Sequence, residues 1–355
     1  MVNINESIAD YRRRENAPKS YIGVVLLAIV LVFILSLPAS EIDINLFEAL
    51  RIIYDHIMGV EPSNYHDMIR HRIVVEQNIP RAIGAICAGG VLSIGGAVLQ
   101  NLIRNPLADP YTLGISSGAL FGMVISLALG ISIIPFIDQM DSRILNAFLF
   151  ALIPTGIIVF LSSFKKVSPT MMILIGIAVM YIFNAFNTII KYTTDDETIS
   201  QIYQWTVGSV SGLSWGSIPK LVFALVMIYI AMYWIRNEID IVAQGDHGAM
   251  TLGVNPYRLR IIALVFVSLA TAIIVCYTGT IGFVGLVAPH IARRYFGSKC
   301  RLLIPGSAVI GALMVLLSDY IIRLITPNLP VGVVLALVCS PIFIVILVRM
   351  KRNEW

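Results

Sequence analysis

Ten apolar stretches run along this chain, at about residues 21–37, 82–103, 110–130, 143–163, 170–192, 217–236, 259–277, 281–297, 302–325 and 331–349. Each is continuous rather than alternating, so the pattern predicts helices and not strands. About 20 mostly apolar residues carry a helix across a bilayer. Backbone polar groups cannot stay unpaired in lipid, which leaves helices or closed barrels. The eighth stretch is short and interrupted by glycines, so a broken helix is expected there. The expected fold class is an all-α integral membrane protein of about ten transmembrane helices, some of them short or broken.

The polar intervals divide the chain. Residues 1–20 form a basic tail, 21–349 a single transmembrane domain and 350–355 a second tail. The positive-inside rule places both tails in the cytoplasm. With ten spans, most of the 25 Lys and Arg then face inward. These include Arg12, Arg13, Arg14 and Lys19, then Lys165 and Lys166, the Arg293–Arg301 cluster, and Arg349, Lys351 and Arg352. Residues 41–80 make a long outer segment with room for a short surface helix. Residues 237–260 make the longest inner loop, and a loop of that length invites a partner. The outer stretch before Trp205 is acidic, with Asp195, Asp196 and Glu197. No cleavable leader is evident, and the first apolar run is long enough to remain as a span.

Composition agrees with lipid as the solvent. The chain is 57% hydrophobic and 13% charged, about half the charge of a soluble domain. A net charge of +4 in such a chain reflects membrane orientation and does not point to nucleic acid. Cys87, Cys276, Cys300 and Cys339 are widely spaced, without a CxxC or Cys/His cluster, so they read as apolar fillers and not as metal ligands. No lysine follows a glycine, so there is no P-loop. The chain has no catalytic site for ATP and binds no cofactor that its motifs disclose.

Four motifs stand out. Asn105-Pro106 and Asp109-Pro110 form a tight turn, because each residue before a proline is pushed out of the helical region. Gly114, Gly118 and Gly122 then recur at helical spacing, a seam that lets another helix approach closely. In the inner loop, Gly245 offers a turn and Asp246 can cap a short helix. Gly253 and Pro256 end it, and Ala249 and Leu252 form a small apolar face suited to a partner's groove. Gly282, Gly285 and Pro289 break the eighth span, as helices do where they line a cavity. His290 beside them reads as a hydrogen-bonded structural residue. Finally, Asp319 and Arg323 are four apart and can pair on one helix face, with Arg323 snorkelling at the outer rim.

These motifs, with Gly282-Phe283-Val284-Gly285-Leu286-Val287, Leu303-Ile304-Pro305-Gly306 and Leu329-Pro330-Val331-Gly332, resemble the signatures of the FecCD/BtuC-like permeases. The match runs in order from about Ile79 to Val348. The resemblance implies a permease fold of ten spans in the cell membrane, multi-pass, carrying an iron-siderophore, haem or corrinoid. It implies a second permease subunit, identical or paralogous, two cytoplasmic ATPase subunits that use the ATP, and an extracytoplasmic binding protein. By resemblance, Gly245, Asp246, Ala249, Leu252 and Gly253 couple to the ATPase, and Arg81 and Arg323 dock the binding protein. Gly114, Gly118, Gly282, Gly285 and Pro289 belong to the pathway and its helix breaks. Asn78 stands where the family often carries a further arginine, so docking uses fewer pairs or recruits Arg70 or Arg72.

Two other classes stay open on the residues alone. An ion-coupled secondary transporter needs buried ionisable groups, and spans two to eight hold almost none. A membrane-embedded enzyme needs convergent polar groups, and only His290 and Asp319 lie near membrane depth.

Overall fold

The computed structural model describes residues 4–134, 138–164, 167–326 and 329–349, with side chains from Ser20 onward apart from Leu347 and Arg349. Of the expected inner charges, the side chains of Arg12, Arg13, Arg14, Lys19 and Arg349 fall outside that description, as do Lys165, Lys166 and the tail 350–355 with Lys351 and Arg352.

Among the described residues the regular elements are all helices, joined by short turns and links. Helix α1 (Ile4–Ser36) leads to two short helices, α2 (Leu46–Ile57) and α3 (Tyr65–His71). Each short helix starts on an asparagine whose side-chain oxygen accepts a backbone N–H, Asn45 from Glu48 and Asn64 from Asp67. The outer segment therefore holds two surface helices where one was expected. From α3 the chain continues through π-helical turns at Arg72–Asn78 into α4 (Ile79–Ile103). Pro80 supplies a cause, because its ring clashes with the carbonyl four residues back and the wider turn relieves that clash.

After the Asn105–Pro110 turn come α5 (Ile115–Leu129), α6 (Gln139–Phe164), α7 (Pro169–Tyr192) and the acidic α8 (Asp196–Thr206). Helix α9 (Ile218–Trp234) bends by 61° into α10 (Arg236–Ala243). Then follow α11 (Asp246–Thr251), α12 (Pro256–Thr278), α13 (Val284–Phe296), α14 (Cys300–Ile325) and α15 (Val331–Arg349). Each of the ten predicted spans has its helix. Among the described residues five are long and apolar enough to cross a membrane unaided: the continuous 65–103 rod, α6, α7, α12 and α14. Helices α9 and α10 make a sixth if counted as one bent span. Helix α13, the eighth, is about 20 Å long and falls short of a bilayer's hydrocarbon core.

Helix α4 is the axis of the bundle. It is apolar on all sides, as a helix surrounded by others must be, and all but three of its residues are buried. Glycines let its neighbours touch its backbone. A Cβ on Gly89 would strike the Gly311 carbonyl of α14, and one on Gly96 would strike the Gly285 carbonyl of α13. The bundle thus closes by backbone contact, the usual device where lipid supplies no hydrophobic drive between helices. Gly118 and Gly122 do the same between α5 and α6, against the carbonyls of Phe150 and Asn146.

Candidate coupling and docking sites

The two ends of α4 carry the two candidate sites, some 35 Å apart by helical rise from residue 81 to 104. At its C-terminal end Arg104 adopts a left-handed conformation (φ 54°), and Asn105 and Pro106 prevent continuation. The turn is closed by Asn105, whose side chain accepts the Leu107 N–H at 2.9 Å, and by Asp109, which accepts the Thr112 N–H at 2.8 Å.

This turn meets α11. Arg104 Nη2 donates to Asp246 Oδ1 at 2.8 Å. Arg260, on α12, grips the same carboxylate through Nη2 to Oδ1 at 2.7 Å and Nη1 to Oδ2 at 2.8 Å. Its Nε donates to the Leu102 carbonyl at 2.8 Å, inside the last turn of α4. The Arg260 guanidinium, hydrogen-bonded to it, holds the Asp246 carboxyl below the usual carboxylate range. From α10, Asp240 Oδ1 accepts the Cys300 N–H at 2.9 Å and so satisfies one of the free donors at the start of α14. The loop 237–260 is therefore fixed to three helices and does not lie free.

Two expectations change here. Asp246 is not the helix cap. Gly245 holds that place at φ 139°, and Asp246 turns back to its arginines. Ala249 is fully buried in the chain's own core, so it is not part of an exposed face, whereas Leu252 is 69% exposed. The reason is the helix end: Leu252 is the C-cap, and the chain reverses through Gly253 (φ 82°), with Val254 N–H on the Ala249 carbonyl. The apolar groups presented outward are Leu252 and Met250, with Leu107 exposed on the turn after Arg104.

At the N-terminal end of α4, Arg81 Nε donates to Asp319 Oδ1 at 2.7 Å. Arg323 Nη2 lies 2.7 Å from Asp319 Oδ2, an ion pair whose alignment falls short of a hydrogen bond, and Arg323 Nη1 donates to the Ser36 carbonyl at 2.9 Å. All three residues are buried, Asp319 completely. Asn78, one turn earlier, donates to the Leu37 and Ala39 carbonyls. The expected Asp319–Arg323 pair is present. Arg81 and Arg323 were also expected as docking charges at the rim, and both are instead the flanks of a buried ion triad. They line the floor of a cavity of about 1290 Å³, whose wall includes Arg72, Gln204, Ser211 and Trp215. Arg72 is the exposed arginine of that wall, beside Glu76 at 3.6 Å, while Arg70 is bound to Glu48.

Between the two ends, the predicted break in the eighth span falls at residues 279–283. Pro289 lies inside α13 without ending it. Proline leaves the carbonyl four residues back, Gly285, without its helical donor, and Gln100 Nε2 of α4 supplies one at 3.3 Å. His290 is buried against the Pro106 carbonyl, 3.1 Å from Nε2, in the structural place expected for it. Of the pathway residues, Gly282 reaches open space, in a cavity of about 690 Å³ with Val207, Thr280 and Gly332. Gly114, Gly118 and Gly285 are packing points; Gly114 lies against the Gly176 carbonyl of α7.

The FecCD transport family model matches residues 27–349. The chain belongs to that family. Among its relatives, the uncharacterized ABC transporter permease protein YvrB of Bacillus subtilis is 34% identical over 347 residues, covering 96% of this chain and 97% of the relative. The vitamin B12 import system permease protein BtuC of Vibrio vulnificus is 34% identical over 293 residues, 82% of this chain and 87% of that one. The Fe(3+)-citrate import system permease protein YfmE of Bacillus subtilis is 33% identical over 341 residues, 93% and 97%. An ABC transporter assigned to the metal-chelate type, solved in an inward-facing conformation, superposes with a TM-score of 0.79 over 94% of this chain and all of its own. At 24% identity that likeness shows the fold. The chain is thus a FecCD-family membrane permease, a transport subunit of the ABC class.

Proposed function

We propose that this chain forms the membrane pathway of an importer driven by a separate ATPase, which docks on α11 from the cytoplasm. The observation that carries this reading is the contrast within α11. Its outer side presents Leu252 and Met250, while Asp246 on its inner side is fixed by charge to α4 and α12. A short helix that is apolar outside and anchored inside transmits a push to the bundle without giving way. The nucleotide chemistry belongs to the partner; this chain contributes the lever and no ATP site or cofactor.

At the other end, the cavity lined by Arg81 and Arg323 is the seat for a binding protein. Its lip offers Arg72 for steering, and the buried triad keeps the outer ends of α4 and α14 together. Two copies of this chain, or this chain and a paralogue, would enclose the pathway, with both termini in the cytoplasm. The cargo is an iron chelate or a corrinoid, the cargoes for which YfmE and BtuC are named.

A secondary transporter would need a buried acid free to exchange protons. Among the described residues the buried acids are Asp109 and Asp319, the first bonded to the Thr112 backbone and the second held between two arginines. The test is co-purification of the ATPase with a Leu252→Glu permease. Loss of the partner from a folded permease is expected, and retention with full stimulated ATPase activity would overturn the reading.

A further inference from the structure

Helix α2 has three faces. Ala49, Ile52 and Ile53 turn inward to a small core of Leu37, Ile44, Val74 and Val75. Glu48, Arg51 and Asp55 form a polar side, with Glu48 bound to Arg70 and Arg51 paired with Asp55 at 3.7 Å. Phe47, Leu50, Tyr54 and Ile57 follow at steps of three and four and share a third face, left uncovered; Phe47 is 84% and Ile57 72% exposed. We propose that α2 lies along the lipid–water interface, with this third face resting on the acyl chains.

Position and shape both favour lipid as the occupant. Phe33 of α1 packs on the same small core as Ile52 and Ile53, so α2 sits at the end of α1. The apolar flank of α1 that ends there, Leu27, Leu31 and Leu35, is itself exposed and faces the bilayer in a membrane-spanning helix. The end of α1, to which α2 is joined through that shared core, is where the hydrocarbon of a spanned bilayer gives way to headgroups. At 12 residues the helix is about 18 Å long, too short to span and long enough to lie flat. Tyr54 is of the amphipathic aromatic type that collects at this depth, and a charged side beside an apolar one is the pattern of a helix in the interface plane. The binding-protein cavity opens elsewhere, on Arg72, Gln77 and Trp215.

The four native cysteines are all buried, so single cysteines at Phe47, Ile57 and Arg51 can be spin-labelled in the full-length permease. Collision rates with oxygen and with a water-soluble nickel chelate are read in proteoliposomes of phosphatidylethanolamine and phosphatidylglycerol. Labels at residues 47 and 57 should favour oxygen over nickel several-fold more than the label at 51. Equal nickel access at all three sites would put α2 in water, and shielding of 47 and 57 from both reagents would put them against protein; either result overturns the proposal.

Discussion

Arg260 holds Asp246 through both guanidinium nitrogens, at 2.7 and 2.8 Å, and spends its Nε on the last turn of α4. One buried arginine thus joins α11, the helix proposed to meet the ATPase, to the axis of the bundle. Asp246→Asn would leave that guanidinium without its counter-charge. Breaking a buried pair costs about 3–5 kcal/mol, and because Asp246 is partly open to water the loss should be nearer 2 kcal/mol. Thermal unfolding in detergent would show a clear drop in Tm.

The same pair sets a pH dependence. The Asp246 carboxyl is held below its ordinary range by Arg260. A depressed carboxylate contributes stability above its unfolded pKa, about 3.9, and loses it as pH falls through the folded value. The gap in Tm between the native chain and Asp246→Asn should stay constant from neutral pH to about pH 5 and close below about pH 4. A gap that changed between pH 6 and 8 would assign the effect to another group.

Asp319 should matter more than either arginine it holds. Asp319→Asn leaves two buried guanidiniums facing each other, a loss of about 3–5 kcal/mol. Arg323→Met leaves the neutral Arg81–Asp319 pair and should cost less. Folded yield and Tm rank the two. Reversing both arginines to glutamate would bury three carboxylates together, so any docking defect in that variant would report unfolding; Arg72→Glu, on the exposed wall, is the variant that probes docking, with an effect that shrinks at high salt.

Residues 249 and 252 should part company. Leu252→Glu changes an exposed side chain and should leave stability within about 0.5 kcal/mol of native while weakening ATPase co-purification. Ala249→Glu forces a charge into the core and should lower folded yield before any docking is measured.

How far the sequence carried is visible in these same residues. The ten apolar runs were legible because lipid demands length and continuity, and each has its helix. So were the Asn105–Pro110 turn and the glycines at 245 and 253, since proline and glycine act on the local backbone. The Asp319–Arg323 pair was legible too, four residues apart on one helix. The partners Arg260 of Asp246 and Arg81 of Asp319 were not, because they lie 14 and 238 residues away and pairing at that range is set by packing. The signal present was a charge at the edge of an apolar run: Arg260 opens span seven and Arg81 precedes span two, and a cation there either snorkels to water or, if buried, needs acceptors. Ala249 was misplaced by applying helical periodicity across a helix of six residues, where the reversal after Leu252 decides which side faces out. Pro289 was misread as a break because the repair, Gln100 on another helix, is invisible to local rules.

Backbone contact between α4 and α13 gives a sharper packing test. Gly96→Ala would drive a methyl into the Gly285 carbonyl and cost about 1–3 kcal/mol, with lower yield and Tm. Gly282→Ala, which meets nothing within 4 Å, should be neutral in stability.

The most direct test is uptake by the purified permease reconstituted with its ATPase and its binding protein. Accumulation of an iron chelate or corrinoid should require ATP on the ATPase side and vanish when the P-loop lysine of the ATPase is replaced. Uptake driven by an ion gradient with ATP absent would contradict the account.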